Sequence, residues 1–256
     1  MTIDLQTLID TRPHLRDPLA LYAKWQRFYH EANEILPKAR SPISAEDSQA
    51  YPRASAGAVF QLFVALFELP EHELEPLAQA LTKGEIDFMQ LPQGKVPNFP
   101  ELPYTPAELA GLLFLFSRPY FLGLRQTFPL DGSQWEDGRC PLCSAQPAMT
   151  SVMEGPKRNL HCSYCGTSGP YRFIGCPSCA CVDSAKLNTI ISEDEPGFRV
   201  ITCDECHTYV KVIEFPLLQK MGFDLADLAS LPLDIIAQGK GFSRMAPNPI
   251  SLSQME

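Results

Sequence analysis

The chain has 256 residues, enough to bury a sizeable core and to divide into two or three compact parts. Acidic residues outnumber basic ones, 30 to 21, leaving a net charge of −9; that field repels phosphate backbones and argues against nucleic acid as a partner. The longest apolar run, Ala56–Leu69, is broken by Gln61 and Glu68 and is too short to span a bilayer, so no membrane insertion is expected.

In chain order, Leu5–Ile9 predicts a short amphipathic helix ended by Pro13. Asp17-Pro18 has the form of an N-cap with proline at the first helical position. Tyr22, Trp25, Tyr29, Ala32 and Leu36 then mark one face of a helix that stops before Pro37. Ser41–Pro52 reads as a loop, and Arg53 to Glu68 as a helix apolar nearly all round, hence central and buried. Another helix is expected over Glu71–Thr82, with Gly84 as its stop. Five prolines between Leu91 and Pro106 predict an extended, helix-free strap. Thr105-Pro106-Ala107-Glu108 is a capping-box pattern that opens a helix with Leu109, Leu112, Leu113 and Phe116 buried, and Pro119 is expected to open a separate one through Gln126. Asp131–Arg139 is polar and marks the boundary of the helical half.

Eight of the nine cysteines follow, as four Cys-x-x-Cys pairs: Cys140/Cys143, Cys162/Cys165, Cys176/Cys179 and Cys203/Cys206. Such a turn can aim two thiolates at one ion, and two turns supply the four sulfurs of a tetrahedral zinc or iron site. The pattern repeats. Cys-Pro-x-Cys opens each unit, Arg158–Leu160 or Phe198–Ile201 connects it to a second pair, and Tyr171–Ile174 or Tyr209–Phe215 follows as a strand. This is the outline of a zinc-ribbon or rubredoxin-like module, present twice. The simplest grouping puts Cys140, Cys143, Cys162 and Cys165 on one ion and Cys176, Cys179, Cys203 and Cys206 on the other; an interleaved grouping uses the same eight ligands. Met1-Thr2-Ile3-Asp4 has no signal-peptide character, so reduced thiols in the cytoplasm are expected, and metal rather than disulfide.

Gly166, after Cys165, permits a left-handed turn, whereas Ser144, Ala180 and His207 hold the matching places, so the four turns are not expected to be uniform. His161 and His207 adjoin ligand cysteines but are not needed as donors, and Cys181 reads as a packed or idle thiol. Asp183 to Glu195 reads as a solvated acidic loop. In the tail, Leu225 and Leu228 face inward, and Ser230-Leu231-Pro232 opens a helix over Leu233–Gln238.

The resulting fold class is α+β: an all-α N-terminal domain (1–138), two small rubredoxin-like or zinc-ribbon metal-binding modules (139–175 and 176–216) and a helical tail (217–256). No catalytic constellation stands out, so the chain reads as a binding protein and not an enzyme. A rubredoxin-like electron-transfer protein acting on a partner enzyme is the alternative, and self-association is left open.

An ordered set of residues resembles the formate dehydrogenase accessory proteins of the FdhE type. It comprises Arg118-Pro119, Trp135, Gly138-Arg139-Cys140-Pro141-x-Cys143 and Leu160-His161-Cys162-x-x-Cys165-Gly166-Thr167. It continues with Cys176-Pro177-x-Cys179, Cys203-x-x-Cys206-x-x-Tyr209-x-Lys211, Asp227–Leu231 with Leu233-Asp234, and Gly241-Phe242-x-Arg244. The resemblance implies a cytoplasmic assembly factor that binds the molybdenum- or tungsten-containing catalytic subunit of formate dehydrogenase during maturation. It also implies iron as the metal, where four thiolates alone accept iron or zinc.

Overall fold

Residues 5–36 and 47–247 are described by the structure, a computed structural model. The helices are α1 Leu5–Thr11, α2 Arg16–Ile35, α3 Asp47–Phe67, α4 Glu75–Lys83, α5 Pro106–Thr127, α6 Phe215–Met221, α7 Phe223–Ala229 and α8 Leu231–Gly239. The strands are β1 Pro147–Val152, β2 Arg158–Cys162, β3 Ser168–Tyr171, β4 Leu187–Ile190, β5 Phe198–Cys203, β6 Thr208–Glu214 and β7 Ser243–Arg244. Two compact units result, one from residues 21–129 and one from residues 5–20 together with 130–247.

The helical unit is built on apolar stripes. Phe28 of α2 lies against Phe63 of α3, ring centroids 5.1 Å apart, and Phe63 and Phe60 meet Phe116 of α5 at 5.7 and 5.6 Å. Edge-to-face aromatic pairs of this kind add about 0.5–1.5 kcal/mol beyond the area they bury. α3 buries one stripe (Val59, Phe60, Phe63, Val64) and exposes Ala58, Gln61 and Ala65, so it is not enclosed on all sides as its composition suggested. Its start also differs. The expected loop Ser41–Pro52 lies outside the described residues up to position 46, and from Asp47 the backbone is already helical.

Gly84 closes α4 in the left-handed conformation, φ 72°. The proline-rich strap is not helix-free, because Phe88–Gln93 forms a 3-10 turn capped by the Asp87 side chain. The capping box is present: Thr105 N–H donates to Glu108 Oε2 (2.8 Å) and Glu108 N–H to Thr105 Oγ1 (3.3 Å). Pro119 does not start a new helix. α5 runs through it, buried on both sides of the proline at Arg118 and Tyr120, and that packing outweighs one missing backbone bond. The Arg118 guanidinium lies 4.5 Å above the Trp25 ring. By length and composition α5 could cross a membrane, and 61% of its most apolar stretch is buried inside the protein.

The second unit is organised by one seven-stranded sheet, in the order β3-β2-β1-β6-β5-β4, with β7 added beside β6. β1-β2-β3 and β4-β5-β6 are each antiparallel meanders, and they join through the parallel pair β1/β6, in which Met149 faces Lys211. The two repeats therefore share a sheet. β3 precedes Arg172 and does not extend to Ile174, and β6 ends at Glu214 before Phe215. The segment Asp183 to Glu195 is more than a solvated loop. Ser184–Lys186 forms a 3-10 turn, β4 pairs with β5, and Glu195 is buried. Arg12 Nη1 donates to Glu195 Oε2 (2.6 Å) and to the Ala229 carbonyl (2.8 Å), which ties the first residues of the chain to this unit.

Helices α6 to α8 cover β1, β5 and β6 on one face. Leu225, Leu228, Leu231, Leu233 and Ala237 are buried there, and each fully buried leucine is worth about 1.5–3 kcal/mol. Beneath them lies a charged core. Lys211 Nζ reaches Asp227 Oδ1 (2.7 Å) and Asp234 Oδ2 (2.6 Å), and Arg244 reaches the same two carboxylates at 2.6 and 2.8 Å. The Tyr209 hydroxyl donates to Asp234 Oδ1 at 2.6 Å.

Candidate metal centres

All four Cys-x-x-Cys turns have the same backbone. The residue after each second cysteine is left-handed: Ser144 (φ 62°), Gly166 (71°), Ala180 (60°) and His207 (52°). Its N–H donates back to the first cysteine's carbonyl, at 2.8, 3.2, 2.9 and 2.9 Å respectively. The first cysteine is in turn bonded to the residue five positions on: Cys140 N–H to the Ala145 carbonyl (2.9 Å), Cys162 to Thr167 (2.9 Å) and Cys176 to Cys181 (2.8 Å). Cys203 and Thr208 are ladder partners across β5 and β6. The expectation of unequal turns is thus corrected. The closing bonds impose one conformation on four residue types, and only Gly166 adopts it without the usual Cβ cost. Cys181 serves through its carbonyl, in the place that Ala145, Thr167 and Thr208 hold elsewhere.

The turns bring the sulfurs together in the simple grouping, not the interleaved one. Cys140, Cys143, Cys162 and Cys165 form one cluster and Cys176, Cys179, Cys203 and Cys206 the other, each with its sulfurs within 4.8 Å of one another. In the first, Cys140–Cys165 and Cys143–Cys162 are both 3.4 Å apart; in the second, Cys176–Cys206 is 3.6 Å and Cys179–Cys203 is 3.7 Å. A tetrahedral ion with metal–sulfur bonds of about 2.3 Å separates its sulfurs by about 3.8 Å. The donor sets therefore fit one four-coordinate ion each. No disulfide is formed, although 3.4 Å between sulfurs is close.

Burial pushes the Cys143 and Cys162 thiols well above their ordinary range, whereas bonds from the neighbouring thiols pull Cys165 down. Four sulfurs this close together and out of water need a cation to be held as thiolates. The two centres differ in exposure. All four sulfurs of the first belong to buried residues, while in the second Cys179 is exposed and Cys206 half-buried. Burial raises Cys206, but the Thr208 hydroxyl and N–H with the neighbouring thiols bring it down to about 7.

Sequence reasoning missed the residues around the sulfurs. Thr167 Oγ1 lies 3.1 Å from Cys165 Sγ, and Thr208 Oγ1 lies 3.0 Å from Cys206 Sγ. Both threonines stand two residues after the closing cysteine of their unit, an offset that the repeat made visible. Hydroxyl donors to ligand atoms fix orientation and charge. His161 is not among the clustered donors: its Nε2 is 2.8 Å from Ser151 Oγ and its ring stacks on Phe223. His207 likewise packs its ring near Phe242. Gly138 has φ 68°, and a Cβ there would meet the Pro177 carbonyl at 2.1 Å, so the approach to the first turn is locked against the third.

Two four-thiolate centres on one repeated sheet, carried by a chain with a separate helical unit, define a metal-knuckle protein of two centres. Residues 160–251 match the family described as "FdhE, C-terminal domain". The FdhE homolog of Aquifex aeolicus (strain VF5) is 28% identical over 177 residues, covering 66% of this chain and 59% of the relative. The FdhE protein of Escherichia coli O1:K1 / APEC is 30% identical over 182 residues, covering 69% of this chain and 54% of that one. The chain thus spans little more than half the length of these relatives. The crystal structure of the FdhE protein from Pseudomonas aeruginosa shares the fold, with a TM-score of 0.64 at 21% identity over 96% of this chain and 94% of that one. The family model and the curated relatives together support the chain as an FdhE-type family member.

Proposed function

We propose that the chain is a cytoplasmic accessory factor that binds the molybdenum- or tungsten-containing catalytic subunit of formate dehydrogenase during its maturation. Two metal ions, one in each module (139–175 and 176–216), are held by Cys140, Cys143, Cys162 and Cys165 and by Cys176, Cys179, Cys203 and Cys206. The observation that carries the reading is two complete sulfur quartets of ion-binding size in a chain of this family. Three-stranded meanders of this size gain stability from a metal staple, and the metal-bound sheet would present a rigid surface to the partner. The chain acts by binding and not by catalysis, and its net charge of −9 does not suit a nucleic-acid partner. Iron follows from the family resemblance; zinc fits the same donors.

A tagged chain recovered without oxygen from cells grown on formate is expected to carry the catalytic subunit and two metal equivalents, and a deletion strain to lose formate dehydrogenase activity. Capture of no such subunit, with activity intact in the deletion strain, would sink the proposal. The exposure of Cys179 favours a second reading, rubredoxin-like electron transfer through the second centre. It requires a reversible visible-absorbance change on reduction and fails with a spectroscopically silent ion.

A further inference from the structure

The sheet face opposite α6–α8 carries a cavity of about 240 Å³, between β2, β4, β5 and the segment that follows β3. Arg158, Arg199, Phe173, Ile174, Leu187 and Ile201 line it, and no aspartate or glutamate does. Arg158 is only 3% exposed. Its Nη2 donates to the Gly175 carbonyl at 2.9 Å, its guanidinium sits 5.0 Å above the Tyr171 ring, and its Nε has no partner. Arg172 lies 5.3 Å from the centre of the same ring. Among the described residues none of these arginines forms an ion pair, although the chain as a whole is strongly acidic. Arg158 is thus a buried cation with an unsatisfied N–H and no carboxylate beside it.

The rim is apolar. Phe173 and Ile174 line the cavity and are also two of the six large hydrophobic side chains exposed among the described residues, at 47% and 54%. Among the described residues the adjoining β4 pairs only with β5, which makes it an edge strand. The volume falls below the roughly 300–1,000 Å³ of pockets that enclose a whole small ligand. It suits instead the anchoring side chain of a longer segment.

We propose that this cavity is a docking pocket for an extended segment of a partner protein that carries one carboxylate side chain flanked by aliphatic or aromatic residues. The carboxylate pairs with Arg199 and Arg158, the apolar neighbours cover Phe173 and Ile174, and the backbone runs beside the free edge of β4. A free inorganic anion would leave the apolar rim uncovered. A polyanion would meet the acidic residues Asp183, Glu193 and Asp194 nearby in the chain. The inference rests on the accessory reading only for the existence of a partner.

The test is fluorescence anisotropy with the metal-loaded full chain. The probes are a pool of fluorescein-labelled nonapeptides with a central aspartate flanked by randomised leucine, isoleucine, valine and phenylalanine, and the same pool with asparagine. Arg158 is held beside ligand Cys176, so its loss risks the third turn; Arg199→Gln is the primary variant and Arg199→Lys the control. The aspartate pool is expected to bind about tenfold more tightly than the asparagine pool, and Arg199→Gln to erase that difference, with metal content and melting unchanged. Equal affinity for the two pools, no binding of either, an unaltered preference in Arg199→Gln, or displacement of the peptides by single-stranded RNA would each overturn the proposal. Peptide binding without capture of a formate dehydrogenase subunit would refute only the identity of the partner. Capture without peptide selectivity would refute only the pocket.

Discussion

At the scale of single residues, the sulfurs depend on neighbours that carry no metal-ligating chemistry of their own. Ser144, Ala180 and His207 accept a left-handed backbone because each N–H closes a bond on the first cysteine of its turn. Thr167 and Thr208 place hydroxyls at 3.1 and 3.0 Å from Cys165 and Cys206. When the sulfurs are thiolates these hydroxyls donate, and losing such a donor costs about 10–100-fold in metal affinity. Thr208→Val is therefore expected to weaken retention at the second centre by that factor, and Thr208→Ser to preserve it. Chelator competition on the purified chain measures both, and equal retention by all three proteins would remove the hydroxyl from the account.

Between elements, the decisive feature is the charge cluster that joins β6, α7, α8 and β7. Lys211, Asp227, Asp234 and Arg244 are balanced two against two. Replacing a buried ion cluster with apolar groups can be neutral, but removing one member strands the rest, at a cost of about 3–5 kcal/mol. Burial raises the pKa of Asp227, yet Arg244 and Lys211 prevail and hold it at about 2, below the ordinary 3.8. A depressed carboxylate contributes stability that is complete above the unfolded value and is lost as pH falls through the folded one. The loss therefore belongs between about pH 4 and pH 2 and amounts to about 2 kcal/mol. Asp227→Asn should be less stable than the parent at pH 7, with the gap narrowing across that window. Acid release of metal is common to both proteins, so the difference in their melting temperatures as a function of pH is the quantity to follow. A constant gap from pH 7 to pH 2 would contradict the assignment.

Over the whole molecule, one sheet carries two centres of unequal exposure. The first is enclosed, whereas the second presents Cys179 to solvent. A chelator should therefore remove metal in two phases, the faster from the second centre. The double variant Cys176→Ser/Cys179→Ser should retain one equivalent and lose the fast phase, as read by elemental analysis and chelator absorbance. Two equivalents in that variant would show the ligand assignment to be wrong. Because β1 and β6 pair directly, loss of the second centre should also loosen the first meander, which hydrogen exchange in β1 would detect.

Short-range chemistry was legible before any coordinates. Cysteine spacing, the Thr105–Glu108 capping box and the Gly84 stop each depend on a few adjacent residues, and local geometry is enough to express them. The repeat made the simple grouping of the cysteines the first choice but left an interleaved one open, and only the folded chain decided between them. Other features were invisible because they depend on surfaces far apart in the chain. Pro119 is tolerated inside α5 because both of its flanks are buried, and β4 forms because β5 offers it a ladder. Lys211 and Arg244 are accommodated in the interior because Asp227 and Asp234 arrive from helices that follow the sheet. Propensity and periodicity therefore determined most of the helices and the cysteine pairs, while long-range burial and strand pairing decided that two repeats become one sheet and which buried charges meet beneath it.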